Sequence, residues 1–138
     1  MTFYIDENIS TSLAEAFNIL QQGLNDDFKR YGTITVKSVV VEFGAGTEDE
    51  VWIPLAGKGY ACIITQDYNI YKTKLQRELS QQHRLGMFYL RPPSKTGFKY
   101  WDMVKVLVTH WEQMNKIALR ESRPFAYKIT SKGKMEAL

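Results

Sequence analysis

Three aspartates occupy positions where parallel strands of a sheet would end. Asp6 directly follows the β-prone run Thr2–Ile5, and Asp67 comes three residues after the apolar run Tyr60–Ile64. Asp49 belongs to the first turn of a helix predicted after the second strand. Because ligands bind outside the carboxyl ends of the strands in an open parallel sheet, we expect these three side chains to meet there.

Carboxylates gathered in this way predict a metal site. Like charges held together repel one another, and a divalent cation removes that repulsion. Ligation by oxygen alone is typical of Mg²⁺ or Mn²⁺. No histidine or cysteine joins the set, which argues against zinc, since the pattern places His83 and His110 on solvent-facing helix surfaces. We therefore predict that Asp6, Asp49 and Asp67 bind Mg²⁺ or Mn²⁺ as a cofactor.

The same acidic residues also have structural interpretations. Asp49 could favour a helix N-terminus through the helix dipole, and Asp67 could be an N-cap or part of an Asx turn. Glu50 is better explained as the partner of Thr47 in a capping box. Asp6 is the hardest to explain structurally, because a carboxylate at the tip of a buried strand is costly without a partner.

Neighbouring polar residues are candidates for hydrogen-bonding the metal ligands. Glu7 and Asn69 could equally lie in solvated loops. The full set of such candidates is Glu7, Glu50, Thr65 and Asn69.

Apolar strands alternate with helices along the chain, and this order must position the acidic residues. It predicts an α/β fold with a mostly parallel central sheet and helices on both of its faces. The length of 138 residues predicts a single domain over residues 1–138. The predicted strands are Thr2–Ile5, Val36–Phe43, Tyr60–Ile64, Met87–Leu90 and Phe125–Thr130, with Lys134–Leu138 as a returning hairpin arm.

The helices are predicted from the 3.6-residue apolar period. The first has a capping box at Ser12 and ends near Gly23 or the acidic run 25–27, and the second runs from Thr47 to about Lys58. A third covers about residues 70–82. The longest helix, residues 98–119, carries one apolar stripe of Trp101, Val104, Leu107, Val108, Trp111, Met114 and Ala118.

Positive charge is concentrated in the second half of the chain. Residues 1–70 carry four Lys or Arg and ten Asp or Glu, a net charge of −6, whereas residues 71–138 carry fourteen and five, a net charge of +9. Such asymmetry is typical of a nucleic-acid surface beside an acidic site, although a solvated basic face is the alternative. Lys72, Lys74 and Arg77 follow Asp67 on the next helix and are the candidates for phosphate contacts.

The remaining features favour a cytoplasmic protein. Cys62, the single cysteine, lies in an apolar run and is interpreted as a small buried hydrophobic residue. The N-terminus lacks the basic and apolar regions of a signal peptide. No stretch approaches the ~20 apolar residues that a membrane helix needs.

Four segments of the chain resemble a PIN-like domain of the VapC-like branch, the toxin half of type II toxin–antitoxin pairs. They occur in the expected order over nearly the whole chain. The segments are Tyr4-Ile5-Asp6-Glu7-Asn8, Gly46-Thr47-Glu48-Asp49-Glu50-Val51-Trp52-Ile53, Ile63-Ile64-Thr65-Gln66-Asp67-Tyr68-Asn69-Ile70 and the closing Pro124-Phe125 with Gly133-Lys134.

The resemblance implies a metal-dependent endoribonuclease with a three-layer α/β/α fold. It implies that Asp6, Asp49 and Asp67 are the catalytic metal ligands and that water activated at this site hydrolyses RNA phosphodiester bonds. Members of the family often carry a further acidic residue where Asn69 stands here. The resemblance also implies an antitoxin protein as partner and a homodimer.

Two alternatives remain open at this point. The first is a PIN-like module that binds a partner without catalysis. The second is a receiver-like phosphorylation domain, which also has acidic residues after its first and third strands. A receiver domain expects a Lys-Pro pair after its last strand, and this sequence has none.

Overall fold

Six strands form one sheet, with helices on both of its faces. The structure, a computed structural model, describes residues 1–66 and 69–138. The elements are β1 (Thr2–Ile5), α1 (Thr11–Phe28), β2 (Thr35–Ser38), α2 (Val39–Phe43), α3 (Asp49–Gly57), β3 (Ala61–Gln66), α4 (Ile70–Gln82), β4 (Gly86–Arg91), α5 (Tyr100–Arg120), β5 (Phe125–Thr130) and β6 (Met135–Ala137).

The strand order places a topological switch point beside β1. The order is β2-β1-β3-β4-β5-β6, in which the first five strands are parallel and β6 is antiparallel to β5. The chain therefore leaves β1 toward β2 and then returns across it to β3. A crevice for ligands is expected where the strand order reverses, outside the carboxyl ends of β1 and β3. The predicted α/β/α fold and the C-terminal hairpin arm are confirmed.

Alternate strand residues supply two separate hydrophobic cores, because successive side chains point to opposite faces of a sheet. On one face, Phe3, Ile64 and Phe88 pack with residues of α1 and α5. On the other face, Ile63 and Met87 pack with residues of α3 and α4. Cys62, fully buried in the first core, is the small hydrophobic residue that the sequence predicted.

Two sequence predictions around β2 are wrong. The predicted strand Val36–Phe43 ends at Ser38, and the valine-rich remainder forms α2. The pairing partner β1 is only four residues long and its last pair is Ile5 with Ser38, so a longer β2 would have no partner. Thr47 does not cap α3: its hydroxyl donates to the carbonyls of Phe43 and Gly44, and Glu48 is the N-cap.

Helix α1 also differs from its predicted bounds. Its N-cap is Ser10, two residues before Ser12 of the predicted capping box, and the Ser10 Oγ accepts a hydrogen bond from the N–H of Ser12. It continues past Gly23 to Phe28 because Leu24 packs against the first core.

The apolar stripe of α5 is rotated from its predicted position. Trp111 is buried and its indole N–H donates to Gln21 at 2.7 Å, but Trp101 and Val108 are 64% and 56% exposed. His110, predicted to face solvent, is 7% exposed. His110 follows the buried Met103 by seven residues, about two helical turns, so both lie on the buried face of α5. Trp101 lies on another face of the helix. His83 is half-buried after the end of α4.

Both edge strands of the sheet carry charged pairs. Lys37 of β2 lies 3.4 Å from Glu42. At the opposite edge, Glu136 of β6 lies between Lys128 and Lys134, with N–O distances of 3.6 Å and 3.0 Å. None of the described helices has both the length and the apolar character that a membrane span requires.

Gly86 allows β4 to lie close to both β3 and β5. A Cβ at this position would approach the Cys62 sulfur to 2.7 Å and the Phe125 ring more closely still. We expect Gly86→Ala to lower the free energy of unfolding by ~1–3 kcal/mol through overpacking. Urea denaturation measures this change.

Gly23→Ala is the matched control. Gly23 lies inside α1, where no heavy atom stands within 4 Å of the added Cβ. Alanine there should raise the free energy of unfolding by ~0.5–1 kcal/mol, because glycine loses more backbone entropy in a helix. Equal effects of the two substitutions would contradict the close packing of β4.

Candidate metal centre

Asp6 is fixed at the switch point by backbone pairing. Its N–H donates to the carbonyl of Ile64 at 3.0 Å, which extends the contact between β1 and β3 by one residue. The Asp6 side chain is only 1% exposed. The structure therefore places this carboxylate in the crevice between the tips of β1 and β3.

Four donors from the protein surround the Asp6 carboxylate. Oδ1 accepts the N–H of Glu7 at 2.8 Å. Oδ2 accepts the hydroxyl of Thr65 at 2.8 Å and the amide of Gln76 at 2.9 Å. Oδ2 also lies 3.5 Å from the ammonium of Lys72. A buried carboxylate is tolerated only with such partners, and hydrogen bonds to a charged acceptor are the stronger kind.

Asp49 brings a second carboxylate from α3. It is the first residue of the helix and is 8% exposed. The indole N–H of Trp52, one turn later, donates to its Oδ1 at 3.0 Å. Because Trp52 is itself 1% exposed in the second core, this bond fixes the direction of the carboxylate.

The pKa of Asp49 lies above its ordinary value. Burial raises this pKa, Lys72 lowers it, and the nearby Asp6 raises it again. Hydrogen bonds from Trp52 and Gln76 lower it by less. The net direction means that the ionised form of Asp49 is less favourable in the folded protein than in the unfolded chain.

Lys72 is the cation that these carboxylates share. Burial lowers the pKa of Lys72, but Asp6, Asp49 and Glu7 together raise it by more, so the ammonium form is favoured. Asn69 caps α4, since its Oδ1 accepts the N–H groups of Tyr71 and Lys72 at 3.1 Å each. The cap fixes the backbone from which the Lys72 side chain reaches the acidic residues.

An acidic cleft of about 350 Å³ opens beside Asp49, and the buried Asp6 is not among the residues that line it. Glu7 lines it and accepts the N–H of Gly46 at 3.1 Å. Among the described residues, the charged ones lining this cleft are Glu7, Glu48, Asp49, Glu50 and Lys72.

The other basic residues predicted for RNA phosphates lie elsewhere on α4. Lys74 is exposed. Arg77 is exposed and lines a different cavity of about 100 Å³ with Pro124 and Phe125. Of the three candidates, Lys72 alone lines the acidic cleft in the described part of the chain.

The third predicted ligand, Asp67, lies outside the described residues. Within residues 1–66 and 69–138, no three His, Cys, Asp or Glu side chains are grouped as a metal site. The structure brings Asp6 and Asp49 together around Lys72 and Gln76, and the three-aspartate ligand set stays a prediction.

Sequence reasoning missed Gln76. Its amide donates to Asp6 at 2.9 Å and is near enough to Asp49 to lower the pKa of that carboxyl, and the residue is 1% exposed. The available signal was its spacing: Gln76 follows Lys72 by one helical turn, so both side chains lie on the same face of α4. A polar residue among those facing the sheet on a predicted helix indicates a buried polar partner.

The chemistry of the donor set fits a divalent cation. Asp6 and Asp49 offer the hard oxygen atoms that Mg²⁺ and Mn²⁺ prefer. In the described structure the Lys72 ammonium lies 3.5 Å from Asp6 Oδ2, beside one of these two carboxylates.

Replacing Asp6 or Asp49 by asparagine should change the free energy of unfolding in opposite directions. In EDTA at pH 7, Asp6→Asn should lower the free energy of unfolding by ~1–3 kcal/mol, because an amide cannot accept all the donors that surround it. Asp49→Asn should raise it, since it removes an unfavourable charge and keeps an oxygen for Trp52. Thermal and urea unfolding measure both changes, and equal destabilisation by the two variants would contradict this description.

The comparison with known families matches the part of the chain that carries this site. The family described as PIN like domain matches residues 1–92 of the 138. No curated protein and no solved structure matches the chain significantly. The match includes Asp6, Asp49 and Asp67, and the predicted extent of the domain to residue 138 stays a prediction. The three-layer α/β/α fold and the aspartates at its switch point agree with this match, and the chain belongs to the PIN-like domain family.

Proposed function

We propose that this PIN-like domain is a metal-dependent endoribonuclease that uses Mg²⁺ or Mn²⁺. One observation carries the proposal: two buried carboxylates from separate elements, Asp6 and Asp49, converge at the switch point of the sheet, where burial first and the nearby Asp6 second raise the pKa of Asp49. Groups whose pKa is shifted in a cleft by burial and a like charge are typical of functional sites. PIN-like domains are commonly nucleases, which agrees with this chemistry.

In the proposed site, Asp6, Asp49 and Asp67 hold the metal. Thr65 and Gln76 keep the Asp6 carboxylate oriented, and Trp52 does the same for Asp49. When bound, a divalent cation would polarise a water molecule and neutralise charge on the phosphoryl oxygens. Hydrolysis then adds water across a phosphodiester bond of RNA.

The finer assignment is the toxin of a type II toxin–antitoxin pair, active in the cytoplasm. It rests on the VapC-like resemblance of the four segments that contain Asp6, Asp49, Asp67 and Gly133. An antitoxin protein and a second copy of the chain are the proposed partners. Glu7, Glu50 and Asn69 are proposed to support the site by hydrogen bonds, as is Thr65.

We place the bound RNA along the loop after β4, which lies at the same end of the sheet as the carboxylates. The loop carries the exposed Lys95 and Lys99 and leads into Tyr100 and Trp101, which are 51% and 64% exposed. Cations beside exposed aromatic rings are typical of single-strand binding surfaces. The phosphate contacts predicted for Lys72, Lys74 and Arg77 stay predictions.

Hydrogen bonds connect this loop to the tip of β1. The N–H of Phe98 donates to Gln66 Oε1 at 3.2 Å. The amide of Gln66 donates to the carbonyl of Asn8, two residues after Asp6, at 2.6 Å. A strand stacked at the start of α5 would therefore lie at the same sheet edge as the carboxylates.

A binding module without catalysis is the second candidate, and one observation favours it. Asp6 already has four donors from the protein, which is a satisfied arrangement without a metal. The receiver-like alternative is set aside, because the family match is to PIN-like domains.

The test is RNA cleavage by the purified protein. A structured RNA pool containing tRNA is incubated with Mg²⁺, Mn²⁺ or EDTA. We expect cleavage with a metal only, and a fall of more than about 100-fold in Asp49→Asn, since even indirect partners of metal ligands are worth 10–100-fold. Asp26→Asn is the matched control, because Asp26 is exposed on α1.

Asp49→Asn is preferred over Asp6→Asn in this assay because it should not weaken the fold. Metal-independent cleavage, or equal activity in Asp49→Asn and wild type, would contradict the proposed site. Absence of cleavage with every metal would favour the binding module.

Trp101→Ala should weaken binding of a fluorescent single-stranded RNA by about 5- to 100-fold, as expected for one lost base stack. Fluorescence anisotropy measures the Kd in EDTA, so that no cleavage interferes. Val108→Ala, an exposed apolar residue seven positions later on α5, should leave the Kd unchanged. Equal changes of the Kd in the two variants would mean that the RNA does not stack on Trp101.

A further inference from the structure

The ammonium of Lys72 occupies the position of a cation at the paired carboxylates. Its Nζ lies 3.5 Å from Asp6 Oδ2, and Asp49 and Glu7 also attract it. We propose that Lys72 is a resident competitor of the divalent cation: it neutralises the site in the metal-free protein and must swing away before the cation binds. This inference rests on the proposed metal-dependent function and concerns its regulation.

The position of Lys72 is built into the start of α4. Asn69 Oδ1 accepts the N–H of Lys72, so the backbone at this residue is held by the helix cap. Gln76, one turn later, donates its amide N–H to Asp6 Oδ2 at 2.9 Å. Two donors on one face of α4 therefore reach Asp6, one through a neutral amide and one through a full positive charge.

Of these two donors, Lys72 is the one that can leave. Its side chain is 31% exposed and lines the open cleft, whereas Gln76 is 1% exposed. When Lys72 withdraws, Asp6 keeps its hydrogen bonds from Glu7, Thr65 and Gln76. The withdrawal therefore breaks one ion pair and leaves the rest of the site in place.

The competition lowers the apparent affinity for the metal. Only the fraction of molecules with Lys72 withdrawn can bind, and the apparent Kd rises by the inverse of that fraction. If the ion pair is formed in about nine molecules of ten, removing it should tighten metal binding about 10-fold. The full chain then has a metal site that half-fills at about 10-fold higher metal concentration than it would without the Lys72 ion pair.

The experiment measures Mn²⁺ binding to the full chain without RNA, by the electron paramagnetic resonance signal of free Mn²⁺. We expect Lys72→Met to lower the Kd for Mn²⁺ about 10-fold. Lys74→Met removes the same charge at an exposed position two residues away and should change the Kd less than twofold. This control separates local competition from a general loss of positive charge.

Two further variants test the proposal if Lys72→Met does not fold. Lys72→Gln keeps a hydrogen-bond donor without the charge and should also tighten binding. Lys72→Arg keeps the charge and should not. Circular dichroism and thermal unfolding establish that each variant is folded before the titration.

The outcomes separate the two proposals. An unchanged or weaker Mn²⁺ affinity in folded Lys72→Met and Lys72→Gln, with a wild-type protein that binds Mn²⁺, would overturn the role of Lys72 alone. Absence of Mn²⁺ binding in wild type and in every folded variant would overturn this role together with the metal-dependent function. Tighter binding in both neutral variants, with Lys74→Met and Lys72→Arg unchanged, supports the competition.

Discussion

Burial of the Asp6 carboxylate constrains the polar structure around it. An ionised group removed from water costs several kcal/mol unless hydrogen bonds and opposite charge compensate it. The compensation here comes from the turn after β1 through the Glu7 N–H, from β3 through Thr65 and from α4 through Gln76 and Lys72. One residue therefore requires three separate elements to arrive at the same point, and the strand order β2-β1-β3 brings them there.

The side chain of Asn8 also connects the tips of β1 and β3. Asn8 donates to the Thr65 hydroxyl at 3.1 Å and accepts the N–H of Gln66 at 3.3 Å. Thr65 thus donates to Asp6 and accepts from Asn8, which fixes its hydroxyl in one direction. The Lys72 side chain, by contrast, is 31% exposed and lines the acidic cleft.

The sequence predicted much of this arrangement because the determining patterns are local. Apolar runs bounded by polar residues placed β1, β3, β4 and β5, and the carboxylate after β1 is buried at the strand tip with hydrogen-bond partners from the protein. The buried face of α5 was misjudged because Trp101 and Trp111 are both aromatic, while helical geometry selects Met103, His110 and Trp111 for the core. Hydrophobicity alone does not decide which side of a long helix meets the sheet.

The spacing of Lys72 and Gln76 places both on one face of α4, but their contacts with Asp6 are set by tertiary structure. Residues on α4 meet Asp6 across about 70 positions of chain, so their pairing depends on how the helix is placed over the sheet. The end of β2 at Ser38 likewise follows from the shortness of its neighbour β1. Each of these features belongs to tertiary structure, which overrides local propensity.

The charged pairs on the outer strands restrict how copies of this protein can assemble. An incoming strand that extended the sheet beyond β2 would lie beside Lys37 and Glu42, and one beyond β6 would meet Lys134 and Glu136. Charged edge strands discourage such pairing in natural sheets. Pairing of further strands with these open edges, and fibre growth through them, is therefore disfavoured.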